Sequence, residues 1–257
     1  MSERNLLTAL LVAISLSGCQ RPSQEPPGSP AVPAAPATNV PLQPPVTLQD
    51  WQAAVASTYT EWDRKNLGDG VSEFYACFGE RDEKGKCPGL AFAGKRDAFR
   101  KLTHLTPLGT SWQRLAADQY LGSYIALADC QPPSYFLKVQ YQRTGGSWLF
   151  INKVAVLADG NVVLERDFSD AYNQVERDVL PNAVKEDYHF IASPDQRQAL
   201  FKLRDSKELA VRITGQKGYV SLKPDQLKTL RADVEAMRLA LDKIAAATKG
   251  KMPEKCP

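Results

Sequence analysis

Tyr135-Phe136-Leu137-Lys138-Val139-Gln140-Tyr141-Gln142 alternates apolar with polar residues. Two-residue periodicity places Tyr135, Leu137, Val139 and Tyr141 on one face, the pattern of a half-buried β-strand. Thr144-Gly145-Gly146-Ser147 follows as turn chemistry. Residues 148–157 then read as a strand apolar on both faces except at Asn152 and Lys153, which predicts a central strand covered on each side. Asp159-Gly160-Asn161 is a hairpin turn of the Asp-Gly type, and residues 162–168 return. Three strands joined by short turns predict an antiparallel meander.

Working outward from this centre, residues 124–129 form a short apolar strand that ends at Cys130-Gln131-Pro132-Pro133. Residues 169–182 carry no clear period, and Tyr188 to Ile191 reads as a further strand. Ser193-Pro194-Asp195 opens a helix, with proline at its first position. Leu209, Val211 and Ile213 alternate with Arg212 and Thr214, and residues 219–222 pair back after Gly215-Gln216-Lys217-Gly218. Pro224 opens a long helix, residues 224–248. Its apolar residues Leu227, Leu230, Val234, Met237, Leu241 and Ile244 step by three and four. That seam is shorter than the three or four heptads of a coiled coil, so packing on the sheet is expected.

Before the meander, residues 47–66 read as one helix. Thr47 and Asp50 make a capping pair, and Leu48, Trp51, Val55, Tyr59 and Trp62 share a face. Residues 68–94 read as loop, 95–102 as a short helix and 111–120 as another. The expected fold is α+β: an antiparallel meander sheet flanked by helices, with a long C-terminal helix. The folded part covers 46–257, subdivided into a helix-and-loop part, 46–120, and a sheet part, 121–257.

The first 45 residues differ in kind. An apolar run from Leu6 to Leu16 follows Arg4 and ends in Leu16-Ser17-Gly18-Cys19. This is signal-peptide grammar, and the run is shorter than the ~20 apolar residues of a membrane span. Residues 20–45 hold nine of the eighteen prolines and little that is bulky and apolar. Such a segment cannot bury enough surface to fold. As extended polyproline II, at about 3.1 Å per residue, its reach is at most on the order of 80 Å.

The Leu-Ser-Gly-Cys ending closely resembles the lipobox of bacterial lipoproteins. The resemblance implies removal of residues 1–18, lipid on Cys19 (palmitate among its chains), and anchorage by several acyl chains. Gln20 after the cysteine, where inner-membrane lipoproteins usually carry Asp, implies the outer membrane, with the domain in the periplasm. Ser147-Trp148-Leu149-Phe150-Ile151, Ala158-Asp159-Gly160 and Ala210-Val211-Arg212-Ile213-Thr214-Gly215 with a closing helix resemble a layout in largely uncharacterised bacterial exported proteins. This second resemblance implies a fold and little about function.

The chain has five cysteines. Besides Cys19 these are Cys77, Cys87, Cys130 and Cys256, an even set that an exported chain uses for disulfides. Proximity pairs Cys77 with Cys87, and Cys130 with Cys256 then follows. A zinc site would want closely spaced cysteine pairs, which are missing.

Little else carries chemistry. A net charge of +3 is too mild to argue for nucleic acid. The two histidines, His104 and His189, are far apart in sequence; a packed, hydrogen-bonded role is expected for His189 rather than a ligand's. No cofactor motif and no nucleophile elbow occurs, and no catalytic, cofactor or metal residue is assigned. Asp167, Asp170, Glu176 and Asp178 cluster, which would suit a carboxylate-dependent wall hydrolase, although Arg166 and Arg177 among them favour a solvated loop. Lys202, Arg204, Lys207, Arg212 and Lys217 form a basic group that anionic wall polymers or headgroups would fit. The leading expectation is an envelope lipoprotein with a binding or structural domain, its partner an envelope protein or cell-wall polymer and not nucleic acid. The alternatives are the hydrolase and an inhibitor that presents the loop between Cys77 and Cys87.

Overall fold

The structure, a computed structural model, describes residues 46–253 except 88 and 110–118. Cys19, Cys256, the apolar run, the proline-rich segment and residues 111–118 of the expected helix at 111–120 lie outside the described residues; its last two residues, 119 and 120, are strand.

Helix α1 (Leu48–Ala56) is capped as its sequence requires: the Asp50 amide donates to Thr47 Oγ1 at 3.1 Å. It buries Trp51 and Val55 and then stops. The expected helix over 47–66 is therefore corrected beyond Ala56. Strand β1 (Thr60–Gly68) follows and carries Trp62. Strands β2 (Val71–Phe78), β3 (Leu90–Asp97) and β4 (Leu102–Pro107) come next. The expected loop at 68–94 is thus corrected in part: residues 71–78 and 90–94 are strand, and residues 79–87 are loop. The expected helix at 95–102 is instead the end of β3 and a tight turn, with Lys101 at φ 50°.

Strands β5 (Gln119–Ala128) and β6 (Ser134–Thr144) continue the meander. The chain then leaves the sheet. Strands β7 (Ile151–Ala158) and β8 (Asn161–Asp167) form a second sheet with β11 (Leu209–Gly215) and β12 (Gly218–Ser221), in the order β12-β11-β7-β8. The three-strand meander expected over 135–168 is corrected here. Only β7 and β8 form a hairpin, turned by Asp159 and Gly160 at φ 49° and 77° as Asp-Gly chemistry demands. Residues 145–150 are a crossover between sheets. Strands β9 (Glu176–Leu180) and β10 (Ala183–Ile191) return to the first sheet, which reads β1-β2-β3-β4-β5-β6-β10-β9, antiparallel throughout. This sheet runs through residue 120 without a break. β7 lies inside its own sheet, as its apolar sequence requires.

Helix α2 (Pro194–Phe201) is capped by Ser193, and α3 (Pro224–Thr248) closes the chain. On α3, Leu230, Val234, Met237 and Ile244 are buried, and Leu227 and Leu241 are half-buried against them. The helix packs on β4, β5, β11 and α1, so its seam meets sheet and helix, not a second coil. One core cluster joins Leu105, Ile125, Leu137 and Val139 of the large sheet to Val154, Val156, Val211 and Ile213 of the small one. Each such side chain contributes about 1.5–3 kcal/mol by burial.

The crossover is gripped from both sides. Glu186 of β10, fully buried, accepts the backbone N–H of Leu149 at 2.7 Å, Phe150 at 2.8 Å and Ile151 at 2.9 Å. The turn after β11 supplies the other grip: the amides of Gln216 and Lys217 donate to the carbonyls of Phe150 and Leu149, each at 3.2 Å.

Cys77 and Cys87 are disulfide-bonded, with Cα atoms 5.6 Å apart. Cys130 is also disulfide-bonded. Replacing Cys77 and Cys87 together by Ala is expected to cost roughly 3 kcal/mol, the loop-closure entropy of so short a loop. Urea denaturation should show this as a lower midpoint.

Candidate functional site

The two faces of the large sheet differ in chemistry. The face towards the core carries Phe92, Leu105, Ile125, Leu137, Tyr188 and Glu186. The opposite face follows from register. Glu73 stands opposite Lys95, Lys95 opposite His104, and His104 opposite Ala126. Tyr124, two residues before Ala126, shares that face and stands opposite Phe136; His189 stands opposite Lys138.

On this face lies a cavity of ≈ 510 Å³. Its wall takes Asp63 and Lys65 from β1, Glu73 and Tyr75 from β2, and His189 from β10. In a flat sheet β2 and β10 would lie about 24 Å apart, at the usual strand spacing. A single cavity touching both requires a curled sheet. Two features promote the curl. β1 is bulged between Trp62 and Lys65, with Asp63 at φ 51°. Gly94 admits the Phe74 ring on the core face where a Cβ would collide with it. The floor is made of short residues, Ala93 and Thr106 among them, so the wall residues stand above it.

At one end the chain's two histidines flank one tyrosine. Tyr124 Oη and His189 Nδ1 are hydrogen-bonded at 3.1 Å. The His104 and His189 rings lie edge-on to Tyr124, with centroids at 5.4 and 5.7 Å, and Phe136 stacks on it at 4.9 Å. The expected hydrogen-bonded role of His189 holds. Sequence separation concealed that His104 shares its cluster: β4, β5, β6 and β10 are sheet neighbours, so residues far apart in the chain meet. At the other end Trp62 stacks on Tyr75 at 5.4 Å. Further along the face, Asp187 is buried between Lys138 at 3.0 Å and Lys185 at 2.5 Å.

Comparison of this chain with family models, curated proteins and solved structures finds no match.

The cavity offers a hydrogen-bonded phenol–imidazole pair, a second imidazole, two ammonium groups and two carboxylates. Burial pushes the His104 imidazole below its ordinary value of 6.5; Lys95 and Arg100 push the same way, and Asp97 opposes them. Its folded form therefore binds protons less readily than its unfolded form. The resulting stability is complete above pH 6.5 and is lost as pH falls towards the lower folded value. Imidazole NMR titration should place the His104 midpoint below 6.5, and His104→Asn should flatten the stability profile over that window. Among the described residues no group of three or more histidines, cysteines or carboxylates is set to hold a metal ion.

The other sequence candidates stay dispersed. Asp167 and Asp170 are exposed on the second-sheet side, and Glu176 and Asp178 stand on β9. Ser169 donates its hydroxyl and amide to Asp167 and holds that carboxyl below its usual range, which opposes proton donation near neutral pH. In the basic group, Arg204 pairs with Glu235 at 2.8 Å, Arg212 lies over the Tyr219 ring at 4.5 Å, and Lys217 over Phe150 at 4.8 Å. The loop between Cys77 and Cys87 is internally braced. Asp82 Oδ1 accepts the Lys84 and Lys86 amides at 3.0 and 2.7 Å, and Arg81 caps the Gly85 carbonyl and lies over Trp62 at 5.0 Å.

Proposed function

We propose that this chain is a lipid-anchored protein of the bacterial envelope, tethered through Cys19, whose folded domain binds a ligand on the curled face of its large sheet. The lipobox resemblance and the proline-rich segment support the tether. The observation that carries the binding reading is the convergence of His104, Tyr124 and His189 in an open cavity, on the sheet face away from the core. Clefts with a few convergent polar groups among aromatic rings are the usual form of a binding site.

Two experiments test this. Cys19→Ser is expected to move the protein from the membrane to the soluble fraction; unchanged fractionation would remove the anchor. For the cavity, a photo-crosslinking residue is placed at Lys95, in the wall, or at Val162, exposed on β8. In intact cells the Lys95 position is expected to gain an adduct that the Val162 position lacks. Equal labelling at both would defeat the cavity reading.

A second reading is favoured by the bracing of the loop between Cys77 and Cys87: a rigid, exposed loop presented to an envelope enzyme as an inhibitor. It predicts that Asp82→Ala, which releases the Lys84 and Lys86 amides, weakens inhibition and leaves the sheet intact. Unchanged inhibition, or none in the parent chain, would exclude it.

A further inference from the structure

We infer that the cavity on the large sheet takes an uncharged carbohydrate, two or three sugar units of a glycan; this rests on the binding reading above.

The first argument is charge. The wall carries Lys65 and Lys95 against Asp63 and Glu73, two of each sign. A phosphate or carboxylate ligand would meet the two carboxylates, and a cation would meet the two ammonium groups. Neither sign is selected. An aliphatic chain fares worse, because it would strip water from charged groups and offer them no hydrogen bonds. A neutral polyol matches the set: every hydroxyl both donates and accepts, so one ligand serves carboxylates, ammonium groups, the Thr106 hydroxyl and the imidazoles together.

The second argument is shape. Tyr75 and Tyr124 stand in the wall, and each is backed by another ring, Trp62 at 5.4 Å and Phe136 at 4.9 Å. A backed ring holds its place, so it forms a fixed wall with little ordering cost on binding. A pyranose has apolar C–H faces and a rim of hydroxyls. It can lay a face against such a ring and direct its rim to the charged groups. The Tyr124 hydroxyl is already oriented by His189, so a donor or acceptor is in place before the ligand arrives. The volume, ≈ 510 Å³, falls inside the ~300–1,000 Å³ of ordinary small-molecule sites and suits a short oligosaccharide.

The test uses the full chain with Cys19→Ser, followed by amide NMR and calorimetry. The probes are N-acetylglucosamine tetramer, maltotetraose, inorganic phosphate and laurate. At least one neutral oligosaccharide is expected to shift Ala93, His104 and His189 and to bind at least tenfold more weakly to Tyr75→Ala. Glu73→Gln, at an exposed position, keeps the test open if Tyr75→Ala fails to fold, and is expected to weaken binding about threefold. If phosphate or laurate binds there and the sugars do not, the glycan is wrong and the cavity remains a binding site. If no probe shifts the cavity residues and the Lys95 crosslinker gains no adduct in cells, the glycan and the binding reading fall together.

Discussion

Glu186→Ala is expected to lower the stability of the folded domain by about 3–5 kcal/mol, the cost of removing one partner from a buried charged cluster. The reason is the number of donors that lose their acceptor. The Leu149, Phe150 and Ile151 amides all point at one carboxylate, and Arg177 Nε lies 3.6 Å from its other side. Phe150 is held at φ 57°, a conformation that a phenylalanine adopts only under constraint. Without Glu186 three N–H groups lose their acceptor, those of Leu149 and Ile151 buried and that of Phe150 half-buried. Thermal unfolding should shift down on the order of 10 °C for a domain of this size. Glu186→Gln keeps the volume and one oxygen but turns an NH2 towards a donor, so an intermediate loss, roughly 2 kcal/mol, is expected. A loss for Glu186→Ala below about 1 kcal/mol would show that the crossover finds other partners.

Gly215→Ala is the second large effect. A Cβ at this position would overlap the Leu149 carbonyl oxygen and lie 2.7 Å from that of Phe150. Both obstacles are backbone, pinned by the hydrogen bonds from Gln216 and Lys217. No flexible side chain can swing away, so the crossover must shift. About 3 kcal/mol is expected, at the upper end of overpacking. Urea denaturation should lower the midpoint and leave the slope unchanged. Glu186 and Gly215 grip the same two residues from opposite sheets. The double variant should therefore lose less than the sum of the single losses, because the second substitution acts on a crossover already released. Additive losses would mean that the grips are independent.

Much of the fold is legible along the chain wherever a local rule decides. Asp159-Gly160 makes the hairpin between β7 and β8, Ser193 and Pro194 start α2, and Pro224 starts α3. The errors come where two rules compete. Trp51, Val55, Tyr59 and Trp62 continue a helical step through Ser57 and Thr58, but the β-branched and aromatic residues from Thr58 to Trp62 suit a strand, and pairing with β2 decides it. Gly145-Gly146 is good hairpin chemistry. It does not make a hairpin because β6 is already paired with β5 and β10, and because Glu186 draws the next residues into the other sheet. Nothing local marks Glu186: in Lys185-Glu186-Asp187 it looks like a solvated charge. The cavity is hidden in the same way. Alternation on β4 and β10 assigns His104 and His189 to the polar face of each strand, but only the strand order unites them around Tyr124.

The strand order has a consequence for how the chain acquires its structure. From β1 to β6 every strand pairs with its predecessor, and the disulfide between Cys77 and Cys87 closes within this run. A chain delivered from its N-terminus can add these strands one at a time, each finding a waiting edge, because the contacts are local in sequence. β7 has no such edge. Its inner neighbour β11 emerges some fifty residues later, and the carboxylate that clasps the intervening crossover arrives on β10. Assembly therefore has two tempos, a progressive first half and a second half that waits for its end. An interruption before β10 would leave one edge of β6 and the inner edge of β7 unpaired, so this interval is when the growing chain is most exposed to wrong pairing.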